Sequence, residues 1–181
     1  MRCNVPRHSI RALLRDHEGS ALVEGALVVP VLVALLIGVY DFSWYFYQQH
    51  LISTGLRDAA RYLARSANPG DATTQADAKN LATTGRITAG GTQRVAGWSS
   101  SNVAISIAND ANTGATTPCG STPCRGGTTI QVVTVCTGTT TVTQNCSSTS
   151  FTDPSFGIFA ILGLNVPAFN VSHSERVICW C

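Results

Sequence analysis

RDHEGSALVEGALVVPVLVALLIGVYDFSWYFYQQHLISTGLRDAARYLARS, residues 15–66, is the stretch on which the reading of this chain turns. Glu24 lies just inside an apolar run, and the sixteen residues from Gly25 to Tyr40 carry no charge. Asp41 closes the run, and Phe42, Trp44, Tyr45, Phe46 and Tyr47 follow it. At 1.5 Å per residue the uncharged run rises about 24 Å, short of the roughly 30 Å hydrocarbon core of a bilayer. Residues 21–24 on one side and 42–47 on the other bring it to spanning length. Tyr40, Trp44, Tyr45 and Tyr47 then fall where an interfacial aromatic belt belongs. The run lacks the polar face that a helix packed on a soluble core would show. Pro30 removes the donor for the Ala26 carbonyl and is expected to bend the helix. Lipid-embedded helices tolerate such a proline where neighbours satisfy the backbone.

Beyond the aromatic cluster the pattern becomes amphipathic. Ile52, Leu56, Ala59, Ala60, Leu63 and Ala64 recur at steps of three and four, the spacing of one helix face. Arg57, Arg61 and Arg65 form a basic stripe at i, i+4 and i+8, read as a solvated face, and Asp58 is expected to pair with Arg61. Gly55/Ala59 and Ala60/Ala64 are small residues four apart, which permit close helix approach. Asn68-Pro69-Gly70 stops the helix. The long helix is therefore assigned to residues 20–67, membrane-spanning in its first half.

Residues 1–19 form a short basic leader with Arg2, Arg7, Arg11 and Arg15, interrupted by Pro6. A secretory signal peptide would place a small-x-small cleavage site after the apolar segment. Here that segment runs on into the amphipathic stretch, which argues against ordinary signal-peptide removal. Without the leader the chain is neutral, with eight basic and eight acidic residues. A net charge of +2 argues against nucleic acid as the main partner, since a binder usually concentrates basic residues on one face. The layout predicts a single-pass membrane protein with a cytoplasmic N-terminal leader and an exported C-terminal head.

Residues 68–181 read as that head, rich in Ser, Thr and Gly. A short helix is expected over 74–84 and strands over 102–108, 128–137, 139–144 and 171–181, from their β-branched alternation. The fold class is α+β: a long N-terminal helix followed by a small mixed head with a short helix and an antiparallel sheet. Six of the seven cysteines lie in the head: Cys119, Cys124, Cys136, Cys146, Cys179 and Cys181. Six cysteines in an exported segment point to disulfides, in any of fifteen connectivities. Cys119 and Cys124 could close a local ring worth about 2 kcal/mol in the loop-entropy description. Thr137-Gly138-Thr139 suits a hairpin turn with Cys136 and Cys146 on its arms. Residues 156–166, FGIFAILGLNV, are too short to span a bilayer and read as a core segment.

The catalytic inventory is thin. The single lysine, Lys79, precedes Asn80, so there is no phosphate-binding GK[ST] loop. HExxH and GxSxG are absent. Asp41-Phe-Ser43-Trp-Tyr45 and Asp153-Pro-Ser155-Phe-Gly157 each lack the second serine of a DxSxS metal motif. The cysteine spacings do not match zinc knuckles. His173, alone in an expected strand, reads as structural. No cofactor, metal or catalysis is expected.

The sharper signal is Gly19-Ser20-Ala21-Leu22-Val23-Glu24, followed by Gly-Ala-Leu-Val-Val-Pro30, with Asp41 and Ala59-Ala60-Arg61 beyond. A basic leader, a glycine, then an apolar segment with Glu at its fifth position resembles a type IV prepilin processing site. The larger pattern resembles the TadE-like family, minor pilins or pseudopilins of Tad (tight adherence) pilus systems. Gly25 stands where that family commonly has Phe or Tyr. The resemblance implies cleavage after Gly19 by a prepilin peptidase, a mature chain beginning at Ser20, and an assembly role for Glu24 and Pro30. It implies the bacterial inner membrane as the site, with the N-terminus cytoplasmic and the C-terminal head periplasmic or extracellular, and other pilin-like subunits and the pilus assembly platform as partners, and covers little of the head. Two rival readings stay open: a membrane-anchored periplasmic enzyme or ligand-binding head, and a general secretion pseudopilin.

The cysteine distribution gives a first prediction. Thiol alkylation of protein taken directly from cells, without reductant, should label two or fewer of the six head cysteines. Labelling of all six would rule out an exported, bridged head.

Overall fold

A computed structural model describes residues 18–111, 129–138, 151–152, 163 and 168–178, with side chains from residue 22 onward. The expected leader segment 1–17, the strand at 139–144 and most of the apolar segment 156–166 lie outside these residues, as does every cysteine except Cys136. The chain divides into two units, Met1–Ser43 and Trp44–Cys181. One helix, α1, Glu18–Arg65, supplies elements to both.

In the first unit the helix is bare. Leu22 is 77% exposed and Leu36 is 69% exposed, and no residue of the most apolar 18-residue window is buried. That window has a mean hydropathy of 2.6, and α1 is long and apolar enough to cross a membrane. Helical structure continues through Pro30 without a break. The Ser43 hydroxyl donates to the Val39 carbonyl at 2.8 Å, so it is satisfied within its own helix and needs no water.

The second unit is built on the other half of α1. Ile52, Leu56, Ala59, Ala60 and Leu63 are fully buried, and they share one core with residues from a second helix and a sheet. The second helix, α2, Ala72–Thr84, contributes Ala78 and Ala82. It starts two residues earlier than the hydrophobic pattern implied, because Asp71 caps it. The Asp71 carboxylate accepts from the backbone N–H groups of Thr73 and Thr74, each at 3.1 Å, satisfying two donors that a helix start leaves orphaned. Gly85 closes α2 in the left-handed conformation, φ 75°, which glycine adopts without a Cβ penalty.

The sheet has three antiparallel strands in the order β1 (Val103–Ala111), β2 (Thr129–Thr137), β3 (Ser172–Arg176). Val103 pairs with Thr137 and Ile105 with Val135, while Val135 pairs with His173 and Val133 with Glu175. Alternation along a strand then puts Val103, Ile105, Val133 and Val135 on the face that joins the helical core. The opposite face is also covered at Ala104, Ser106 and Cys136. Strand β2 is central, and both its edges are occupied. Its last residue, Thr137, donates its N–H to Val171 O at 3.0 Å, and Gly138 donates to Asn102 O at 2.7 Å. Thr139 and the second arm of the hairpin expected at 137–139 lie outside the described residues. The final strand is shorter than expected because Ile178 N–H turns aside to the Ala64 carbonyl of α1 at 2.8 Å. That carbonyl is among the last four of the helix, which have no partner within it.

Trp98 is fully buried and belongs to the core. Its ring lies beside Gly55 of α1, which also abuts Ala82 of α2. A Cβ placed on Gly55 would collide with the Ala82 backbone carbonyl and lie 3.0 Å from the Trp98 ring. The small-residue expectation for Gly55/Ala59 is therefore met by a physical crossing point. Replacing Gly55 with Ala should destabilise the second unit by about 1–3 kcal/mol, the usual cost of overpacking. Gly25, with open space around its Cβ position, should tolerate Ala without loss. Tryptophan-monitored urea unfolding in detergent checks this, and a Gly55→Ala protein as stable as wild type would contradict the packing.

Candidate assembly face of the long helix

The residues singled out for processing lie at the start of α1. Glu18, Gly19 and Ser20 are already helical, so the Gly19–Ser20 bond falls in the first turn. Glu24 is exposed and follows Ser20 by four residues, which places the two positions on one helix face. No cation among the described residues lies within ion-pair distance of Glu24. Pro30 is exposed as well, six residues further on. The proposed processing and assembly residues are therefore presented on a helix that nothing described in the first unit covers.

Asp41 is the next charged residue. It is half-exposed, with its Oδ2 shielded from solvent and meeting no hydrogen-bond donor among the described residues. Gly38 lies one turn before it, and nothing approaches within 4 Å of its Cβ position.

The aromatic cluster divides. Tyr40, Phe42, Trp44, Phe46 and Tyr47 are exposed, as an interfacial belt requires. Tyr45 is not part of that belt. Its ring stacks on Phe169 at 4.7 Å and 13°, and Phe169 in turn stacks on Phe151 at 6.2 Å. Phe169 is held by its backbone: it exchanges hydrogen bonds with Phe151, and its carbonyl accepts from the buried Thr137 hydroxyl at 2.9 Å. Helical periodicity explains the division, because Tyr45, Gln48 and Ile52 continue the face that faces the core, while Phe46 and Tyr47 do not.

The basic stripe Arg57, Arg61 and Arg65 is exposed as expected. Its predicted local partner is wrong. Asp58 bonds Arg94 at 2.8 Å, not Arg61. Arg94 is positioned for this because its N–H donates to Thr83 O at 2.7 Å and Gly85 leaves room beside its guanidinium. Arg61 lies 3.7 Å from Glu175, whose carboxylate also meets His173 at 3.0 Å. An open groove of about 530 Å³ runs along Asp58, Arg61, Tyr62, Arg65, Ser66, Thr74 and Leu81. The Ser66 hydroxyl there donates to Leu63 O. No group of three His, Cys, Asp or Glu among the described residues could hold a metal. Cys136 lies on β2 and is buried. Cys119, Cys124, Cys146, Cys179 and Cys181 fall outside the described residues, so the pairing of the six is untouched.

Sequence reasoning missed Arg94 and Trp98. Both sit in the irregular 86–99 segment, where no periodicity marks a buried side. Trp98, one of only three tryptophans, was the available signal.

The architecture is thus that of a small α+β head carried on a long helix whose first half is a candidate single-pass membrane anchor. Residues 19–61 match the TadE-like protein family, under a quarter of the chain and the part that holds Gly19, Glu24, Pro30, Asp41 and Gly55. No curated protein and no solved structure matches the chain.

Proposed function

We propose that this chain is a membrane-anchored pilin-like subunit, a minor pilin or pseudopilin that takes part in Tad-type pilus assembly or secretion by packing its long helix against other pilin-like subunits. The observation that carries this reading is the coincidence of the TadE-like match with a helix whose apolar residues are uncovered from Leu22 to Val39. In this reading a prepilin peptidase cuts after Gly19 on the cytoplasmic side, and Ser20 becomes the new N-terminus. The head is then exported, in a compartment that permits bridges among its cysteines.

Glu24 supplies the chemistry. A carboxylate at the centre of a membrane span costs about 2.5–3.5 kcal/mol, and less towards its end. The ammonium created at Ser20 lies one turn away on the same chain and within reach on an adjacent one. Pairing the two charges on neighbouring subunits offsets the burial of both and sets the depth at which a subunit joins. TadE-like proteins are pilin-like structural proteins, and nothing in this role requires catalysis.

Glu24→Gln tests the reading because it keeps the size of the side chain and deletes its charge. The variant should be made, inserted and cleaved to a mature chain beginning at Ser20 by intact mass. It should then fail to co-purify with other pilin-like subunits or to support piliation. Normal piliation and partner recovery with Gln at position 24 would defeat the assembly role. A mature chain that retains Met1 or Arg2 would defeat the processing step.

A further inference from the structure

Both outer edges of the three-stranded sheet carry backbone groups that no described residue pairs. Val177 N–H donates to Gln131 O, and Thr137 N–H donates to Val171 O, so odd-numbered residues of β3 face β2. Hydrogen-bonded and non-hydrogen-bonded pairs alternate along an antiparallel ladder. Ser172, Ser174 and Arg176 therefore turn their backbone N–H and C=O groups to the outer edge. On β1, Gly138 N–H donates to Asn102 O, in register with Val103↔Thr137. Even-numbered residues of β1 thus face β2, and Ile107, Asn109 and Ala111 turn outward. None of these six has a described backbone partner across its outer edge. Ile107 is half-buried and the other five are exposed. Neither strand carries the proline or lysine that commonly blunts an open edge.

The two edges suit each other. Strands β1 and β3 both run antiparallel to β2, so they run parallel to each other. A second copy set beside the first in the same orientation offers its β1 to the outer edge of β3. Copies anchored by the same helix in one membrane share that orientation. An antiparallel β3–β3 pair would instead need a two-fold axis normal to the sheet, which reverses the helix packed on it. Charge matches as well. Ile130 and Val132 lie on one face of β2, so their partners Asp110 and Arg176 lie on one face of the sheet. Both are exposed, and neither has an ion-pair partner among the described residues. Ala108 and Arg176 are both level with Val132. A lateral step without slip sets Arg176 about 7 Å along the strand from Asp110 of the next copy, within reach of an arginine side chain.

We propose that β3 of one copy pairs in parallel with β1 of a second copy of this chain, continuing the sheet from head to head. Arg176 then meets the neighbour's Asp110 on one face of the joined sheet. The step between copies is about 14 Å, three strand spacings, and every contact lies within the head. Each copy uses β3 on one neighbour and β1 on another, so the contact is heterologous and extends into a row or a ring. The inference rests on the pilin-like reading for the shared orientation, and it adds a contact between heads to the helix packing of that reading.

Two differently tagged full-length copies, co-expressed and extracted from membranes in mild detergent, provide the test. One tag is captured and the other quantified. Wild-type copies should recover each other, and their failure to do so overturns the proposal. Ser174→Pro and Asn109→Pro each remove an outward N–H and spare the bonds to β2. Either variant alone should lower self-recovery by about tenfold or more, because one edge of every contact is blocked. The Ser174→Pro copy keeps its β1 edge and the Asn109→Pro copy keeps its β3 edge. Mixed, they should recover each other to within about threefold of wild type. Asp110→Arg alone and Arg176→Asp alone set like charges together and should also lower self-recovery, and their mixture should restore it. These two change only exposed side chains, so they decide the outcome if a proline variant lowers the urea midpoint of the head. Mixtures no better than the variants alone overturn the pairing, as do single variants that recover like wild type. Glu24→Gln is run in parallel. Loss there, with wild-type recovery in every edge variant, rejects this contact and leaves the Glu24 role intact. Loss in the edge variants, with normal recovery of Glu24→Gln, supports this contact and counts against the Glu24 role.

Discussion

An apolar helix surface that none of the described residues covers has to be covered by something else. From Leu22 to Val39 the leucines and valines of α1 are exposed on all sides, and burying such a side chain is worth about 1.5–3 kcal/mol each. That many uncovered side chains would make the helix insoluble in water alone. Lipid satisfies the surface directly, and so does a bundle of similar helices. The TadE-like match spans the same residues. The few polar groups in the segment fit this account. Ser43 is bonded to its own helix, whereas Glu24 and Asp41 have no described partner.

The second half of the helix solves the opposite problem. There one face is fully covered by α2, Trp98 and the sheet, and the other carries charge into solvent. The change of regime falls at the aromatic cluster. Tyr45 turns inward onto Phe169 while its neighbours Trp44, Phe46 and Tyr47 remain outside. Several independent contacts fix this half of α1 to its surroundings. The contact at Gly55, the Asp58–Arg94 ion pair and the Ala64–Ile178 backbone bond are spread over about two and a half turns of the helix.

Much of this was legible in the sequence. Periodicity in the long helix is strong enough to separate the bare run from the amphipathic one, and Ile52, Leu56, Ala59 and Leu63 are buried where their spacing placed them. Alternation located β1 and β2 to within a few residues. Gly55 was marked by its small size four residues before Ala59. What failed depended on tertiary context. Asp58 had a plausible partner three residues away, and nothing local favoured Arg94, thirty-six residues distant in sequence. Tyr45 was grouped with the interfacial aromatics because composition does not distinguish one side of a helix from the other. Of the candidate site, Gly19 and Glu24 were visible as a spaced pair. The isolation of Asp41 became visible only once its neighbours were known.

The central claim is that one continuous helix passes from a surface covered by lipid to a surface covered on one side by the protein. Site-directed spin labelling of dilute full-length protein in bilayers measures this most directly, through collisions with oxygen from the lipid and with an aqueous nickel chelate. Single labels at Leu27, Val31, Leu35 and Leu36, which point in different directions, should all be open to oxygen and shielded from nickel. Labels at Phe46, His50 and Arg57 should become progressively open to nickel, and one at Ala60 should be immobilised and shielded from both. Nickel access at Leu27 or Leu36 equal to that at Arg57 would contradict the account, because the apolar half would then be covered by neither lipid nor protein.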